Sequence, residues 1–257
     1  MNLALRPEPR GEAATATSYE PYFATGAYDR RYPQPNPTVL RLIRRLLPPG
    51  GHVIDYGCGS GRYLLPLAGH AGVAAGFDIC PAALARLREV APAGLAVLGP
   101  EADTVPAHVA RHGPADLVLC LFGVLSHVEG RDARQRLLRR LRALLRPGTG
   151  RLVLSVPNRR RRFRALQRRS AGDEIRYVRR FAEGAVELPY KLYEPPTLAA
   201  ELAAAGFDVE RMAAESLLPE TAVARSPLLR TLDRLAAPLL PASRGYGLLA
   251  VARPETG

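Results

Sequence analysis

The stretch Val53-Ile54-Asp55-Tyr56-Gly57-Cys58-Gly59-Ser60-Gly61-Arg62 carries the densest chemical signal in the chain. Three alternating glycines after a short apolar run let the backbone turn sharply and bring its N–H groups into contact with a ligand. A tight strand-to-helix turn without a ligand would use the same residues. A second signal lies 17 residues after Gly61, where Gly76-Phe77-Asp78-Ile79 sets a carboxylate at the end of the next apolar run. Such a carboxylate can accept hydrogen bonds from both hydroxyls of a ribose, or simply cap the helix that follows. Cys58, Cys80 and Cys120 have neither the number nor the spacing of a disulfide framework or a zinc site, so they read as small apolar packing residues and no metal is expected.

These residues need a scaffold, and the hydrophobic pattern supplies one. Apolar runs at His52–Tyr56, Gly72–Phe77, Leu95–Leu98, Ala115–Leu121 and Arg151–Val156 predict strands. Helical periodicity intervenes, over Pro81–Val90, weakly over Val105–His112, and strongly over Asp132–Leu145. In the last of these, Leu137, Leu138, Leu141, Leu144 and Leu145 form one face, and Arg134, Arg136, Arg139, Arg140 and Arg142 the other. A further helix is expected from the glycine loop through about Gly69, and one from Thr38 to Leu47 ahead of the first strand. A helix over Thr197–Ala205 and strands over Phe207–Met212 and Tyr246–Ala252 complete the pattern. Repeated βα units of this length predict an α/β, doubly wound, Rossmann-like sheet of seven mostly parallel strands with helices on both faces. Residues 1–37 are read as an N-terminal tail, loose through residue 18, and a Tyr-rich arm. Residues 38–253 are read as a single domain with insertions at about 158–194, where no strand rhythm is evident, and about 215–244.

The order D-x-G-x-G-x-G, then the acidic strand end, resembles the class I S-adenosylmethionine-dependent methyltransferases. Arg62 stands where a dinucleotide-binding G-x-G-x-x-G loop has its third glycine, which disfavours a nicotinamide-dependent oxidoreductase. Leu98-Gly99-Pro100-Glu101-Ala102-Asp103 is similar to the family's third-strand loop, Pro114–Cys120 to its fourth motif, and Leu145–Gly150 to the turn before strand five. The resemblance covers residues 38–156 well and 195–253 in topology. It implies S-adenosyl-L-methionine as cofactor, held by Asp55, Gly57, Cys58, Gly59, Gly61, Asp78, Ile79, Glu101, Ala102 and Phe122. Either Glu101 or Asp103 could meet the adenine amino group. Methyl transfer to a hydroxyl or amine needs a base just past strand four, where the chain reads Phe122-Gly123-Val124-Leu125-Ser126-His127. His127 is the candidate catalytic base; a histidine bonded to backbone at a helix start would look the same. Tyr19, Tyr22, Tyr28 and Tyr32, with Tyr177, Tyr190 and Tyr193 of the first insertion, are expected to close over the cleft.

The composition bounds the rest. The 257 residues are 47% hydrophobic and 23% charged, enough for a buried core. No apolar stretch is long enough to span a membrane, and the first twenty residues lack the apolar core of an export signal, so a soluble, reduced, cytoplasmic protein is expected. The net charge of +12 is almost all arginine, with Lys191 the only lysine, and it is local: residues 131–151 carry +7 and 158–180 carry +8. The run Arg159-Arg160-Arg161-Arg162-Phe163-Arg164 admits three readings: a solvated helical face, a contact to an anionic acceptor or membrane surface, or an RNA-backbone contact. The function expected is methyl transfer to an O or N atom of a small or medium-sized acceptor, which can be anionic. The alternatives are an RNA or tRNA methyltransferase of the same fold, not favoured because no RNA-binding module accompanies the arginines, and a non-catalytic adenosylmethionine-fold binding protein. The acceptor and the oligomeric state are not legible in the sequence.

Overall fold

The computed structural model describes residues 12–255 apart from 102, 171, 182 and 183. Its centre is a seven-stranded sheet. The chain enters through helices α1 (Glu12–Ala24), α2 (Ala27–Arg31) and α3 (Pro37–Leu46), then forms β1 (His52–Tyr56), β2 (Val73–Phe77), α4 (Pro81–Val90), β3 (Leu95–Leu98), α5 (Thr104–His112), β4 (Leu117–Cys120), α6 (Arg131–Ala143) and β5 (Arg151–Pro157). A short helix α7 (Arg164–Gln167) and an antiparallel hairpin, β6 (Glu174–Phe181) with β7 (Gly184–Lys191), follow. Then come α8 (Pro195–Ala203), β8 (Phe207–Ser216), α9 (Glu220–Arg225), α10 (Pro227–Ala236) and β9 (Gly247–Pro254).

The sheet order is β3-β2-β1-β4-β5-β9-β8. Neighbours from β3 to β5 pair in parallel, and β9 runs antiparallel to both β5 and β8. β1 and β4 lie in the middle and are buried along their whole length; β4 is apolar throughout, whereas β1 also buries His52 and Asp55. One core cluster covers each face of the sheet: Leu138, Leu141, Leu198 and Phe207 belong to one, Val39, Ile43, Leu64, Leu84 and Leu87 to the other. The strand order reverses between β1 and β4, so their carboxyl ends open a crevice there.

Four expectations need correction. After the glycine loop the chain makes turns and a 3-10 segment at Leu65–Leu67, not a regular helix; Pro66 lacks an N–H and its ring obstructs the carbonyl four residues back. Residues read as loose up to 18 belong to α1 from Glu12 onward, because Ala14, Ser18 and Phe23 are buried. Residues 158–194 do hold strands. In β6, Ile175 is buried while Glu174, Arg176 and Val178 face outward, a period of two that the arginines obscured. Arg134 is not on the solvent face of α6: it is buried, with Nε 2.8 Å from Glu201 and Nη1 2.7 Å from Glu174.

Candidate active site

At the carboxyl end of β1 the N–H groups of Gly57 and Cys58 both donate to the Phe77 carbonyl, at 2.7 and 3.0 Å, folding the loop over the end of β2. Gly59 then donates to Asp78 Oδ2 at 2.8 Å, and Cys80 N–H donates to Asp78 Oδ1 at 2.9 Å. One carboxylate thus ties the glycine loop to the start of α4, with lone pairs left over for ligand hydroxyls. Gly59 has φ +55°, and a Cβ there would stand 3.0 Å from the Phe23 ring; the glycine admits both the left-handed turn and the close approach of α1. Burial raises the Asp78 carboxyl, opposed by its backbone donors. Asp55, buried beneath the loop, is pushed up to about 7 by burial and then by the neighbouring Asp78.

The carboxyl end of β4 forms the other wall. Phe122 adopts φ +61°, rare for a residue with a side chain, and its N–H is held by Ser155 Oγ at 2.8 Å. The adjacent Gly123, at φ +83°, donates to the Ser155 carbonyl at 3.0 Å. A Cβ on Gly123 would lie 2.6 Å from Tyr190 Oη, so glycine lets the hairpin close down here. His127 ends the 3-10 turn Leu125–His127 and is buried. Its Nε2 lies 3.1 Å from Tyr19 Oη, and its ring centroid is 4.6 Å from that of Tyr190.

Two cavities meet at this wall. The first, about 120 Å³, is bounded by Gly57, Gly59, Phe77, Asp78 and Ile79 and covered by Tyr19 and Phe23 of α1. The second, about 530 Å³, lies under the hairpin and is lined by tyrosines with Arg162 and Glu215. Tyr19, Tyr28, Phe122 and His127 border both. α1 is anchored by Glu20, whose Oε2 accepts from Ala82 N–H at 3.2 Å at the start of α4 and from the Cys80 thiol at 3.2 Å.

A family model described as a methyltransferase domain matches residues 28–211. The chain belongs to the class I S-adenosylmethionine-dependent methyltransferases. The methyltransferase fold recurs in solved structures at low identity. The DhpI–SAM–HEP complex superposes with TM-score 0.66 at 15% identity, covering 96% of this chain and 100% of that one. The CcbJ methyltransferase from Streptomyces caelestis gives 0.62 at 16%, with the same coverage. A methyltransferase from Mesorhizobium loti gives 0.55 at 21%, covering 84% and 95%. No curated protein matches the sequence.

Among the sequence candidates in this methyltransferase, Gly57, Gly59, Asp78, Ile79, Phe122 and His127 line the first cavity. Asp55, Cys58 and Gly61 stand behind it: Cys58 is buried beside Gly76, and a Cβ on Gly61 would meet Leu87 and Leu65. Glu101 is exposed and does not line the cavity, and Ala102 lies outside the described residues. The three cysteines are buried and free, and burial raises each thiol, Cys80 and Cys120 to about 12, so none is an activated nucleophile. Of the expected lid residues, Tyr19, Tyr22, Tyr28, Tyr32, Tyr177 and Tyr190 all line a cavity, whereas Tyr193 is buried in the core against α8. Phe23 and Glu215 were missed; a lone glutamate at the end of a strand leaves no pattern to read.

Arg160, Arg161 and Arg164 of the arginine run are exposed, yet three side chains of the run bond back to the chain. Arg159 reaches Gln167 and the Gly172 carbonyl, Arg160 pairs with Glu194 at 3.0 Å, and Arg161 donates to the carbonyls of Arg244 and Leu217. These three staple the post-β5 turn to its surroundings. No helix of the described residues is long and apolar enough to cross a membrane.

Proposed function

We propose that this methyltransferase transfers the methyl group of S-adenosylmethionine to an O or N atom of a small or medium-sized acceptor bound under the hairpin. The residues fit that cofactor: Asp78 offers a carboxylate to the ribose hydroxyls, Gly57 and Gly59 let backbone lie against the methionyl end, and Ile79 and Phe122 present apolar walls to the base. Bound there, the cofactor supplies a methyl carbon already activated by its sulfonium. The chain's own work is to align the acceptor, exclude water and accept a proton. His127 serves as the base from its place on the shared wall, and Tyr19 Oη at 3.1 Å orients its ring.

The observation that carries the reading is that a tyrosine-lined cavity of about 530 Å³ shares His127 and Phe122 with the cavity of the glycine loop. That volume suits a metabolite-sized ligand of the kind held in pockets of roughly 300–1,000 Å³. Arg159, Arg160 and Arg161 are engaged by the chain itself, which counts against an RNA-tracking surface. Calorimetry with S-adenosylmethionine, its demethylated product and NAD tests the cofactor: binding of the first two and not the third is expected. A labelled-methyl screen of hydroxy- and amino-metabolites tests the acceptor, and salt-sensitive, selective labelling of a tRNA in place of any metabolite would overturn the acceptor class.

A further inference from the structure

We propose that Arg162 is the receptor for a compact oxyanion on the acceptor, so that the substrate class is a carboxylate- or phosphate-bearing molecule with a ring-sized apolar body. The inference rests on the methyl-transfer reading of the same cavity and narrows it.

Arg162 differs from Arg159, Arg160 and Arg161. Its side chain makes no ion pair and no hydrogen bond among the described residues, and its Nε is buried without a partner. The guanidinium carbon instead sits 5.0 Å from the Tyr246 ring centroid, 5.1 Å from Phe163 and 5.9 Å from Tyr190. Glu215 is near enough to interact with the Arg162 charge, but among the described residues no hydrogen-bonded anion closes on the guanidinium, and a planar fork of this kind matches the two oxygens of a carboxylate or phosphate.

Glu215 lines the same cavity, is 7% exposed, and has Oε1 buried without a partner. Burial, then the nearby Glu220, pushes its carboxyl up to about 8 against the lowering pull of Ser155, Arg162 and Arg62, so burial disfavours the anion that would pair with Arg162. The guanidinium supplies the donors that complement an oxyanion. The Arg62–Glu220 pair close by, at 2.6 Å, is already self-neutralised. Tyr190 fixes the spacing: its ring contacts the Arg162 guanidinium and lies 4.6 Å, centroid to centroid, from that of His127. An acceptor lying along Tyr190 would place its anionic head at Arg162 and its reacting O or N toward His127.

The test is calorimetric titration of the full chain, saturated with S-adenosylhomocysteine, with benzoate, phenyl phosphate and neutral benzamide. At least one of the two anions should bind roughly tenfold or more tightly than benzamide, and weaken as salt is raised. Which anion is preferred separates a carboxylate head from a phosphate head. Arg162→Gln should remove that preference, Arg162→Lys should keep part of it, and Arg160→Gln, a surface control, should leave it intact. All variants should keep the melting temperature and the affinity for S-adenosylhomocysteine. Equal binding of benzamide, no binding of any probe, or anion binding indifferent to Arg162→Gln would overturn the proposal. A wild-type chain that ignores S-adenosylhomocysteine would instead refute the methyl-transfer reading, and the oxyanion titration would then be read on the free chain.

Discussion

Asp78 works twice: it brackets Gly59 and Cys80 through backbone hydrogen bonds and faces the cavity with its remaining lone pairs. Asp78→Asn keeps the shape and one acceptor oxygen but loses the charge-assisted bonds. Hydrogen bonds to a charged group contribute about 1.5–3 kcal/mol, so cofactor affinity measured by calorimetry should fall roughly tenfold to a hundredfold. Unchanged affinity with an unchanged melting temperature would remove Asp78 from the cofactor site. His127→Gln should leave cofactor affinity intact while lowering kcat and abolishing the acidic limb of the pH–rate profile; a retained limb would assign the base elsewhere. The glycine loop, Asp78 and His127 were legible in the sequence because each depends on local spacing at a strand end. Arg162 and Glu215 were not singled out, since their meaning comes from a cavity closed by segments more than fifty residues apart in the chain.

At the scale of elements, the alternating apolar runs and amphipathic helices were readable, and the sheet follows them within a few residues at each end. What stayed illegible is where the chain uses tertiary contacts to override local pattern. Arg134 looks like any other arginine of α6, yet it ties that helix to α8 through Glu201 and to the hairpin through Glu174. Arg134→Ala strands the nearly buried Glu201 carboxylate, and breaking a buried pair in this way costs about 3–5 kcal/mol. Urea denaturation should show that loss, and a change below about 1 kcal/mol would mean the pair is dispensable. The opposite case is α10, whose Leu228, Leu232 and Leu235 form an apolar stripe that faces outward, each more than half exposed. α1 is attached by Glu20 at the start of α4. Glu20→Ala should speed proteolysis within α1 and raise the KM for the cofactor, with little effect on global stability.

The whole molecule carries opposed titrations that a charge count does not reveal. Asp55 and Glu215 have folded-state values near 7 and 8, above their unfolded values. A raised acid binds more protons folded than unfolded, so its stabilising contribution is full below the unfolded value and is lost as pH rises through the folded one. His52 and His108 go the other way: burial lowers both, His108 to about 4, and their Nε2 atoms share a hydrogen bond at 3.1 Å. Their contribution is present above the unfolded histidine value and is lost as pH falls through the folded one. Between about pH 4 and 6.5 the two pairs offset each other, which leaves the carboxyls to dominate the decline above neutrality. Asp55→Asn isolates one of them. Asparagine mimics the protonated acid, so at pH 4 the variant and the parent should melt together. By pH 8 the parent must hold a buried carboxylate beside Asp78, and a shift of about three pH units corresponds to a difference on the order of 3–4 kcal/mol in favour of the variant. For a chain of this size that is a rise of roughly 5–10 °C in Tm. Cofactor-free thermal melts of both proteins at pH 4, 6 and 8 decide it: a gap that widens with pH supports a carboxyl raised by burial, whereas a constant gap would show that Asp55 is ionised in the folded chain throughout.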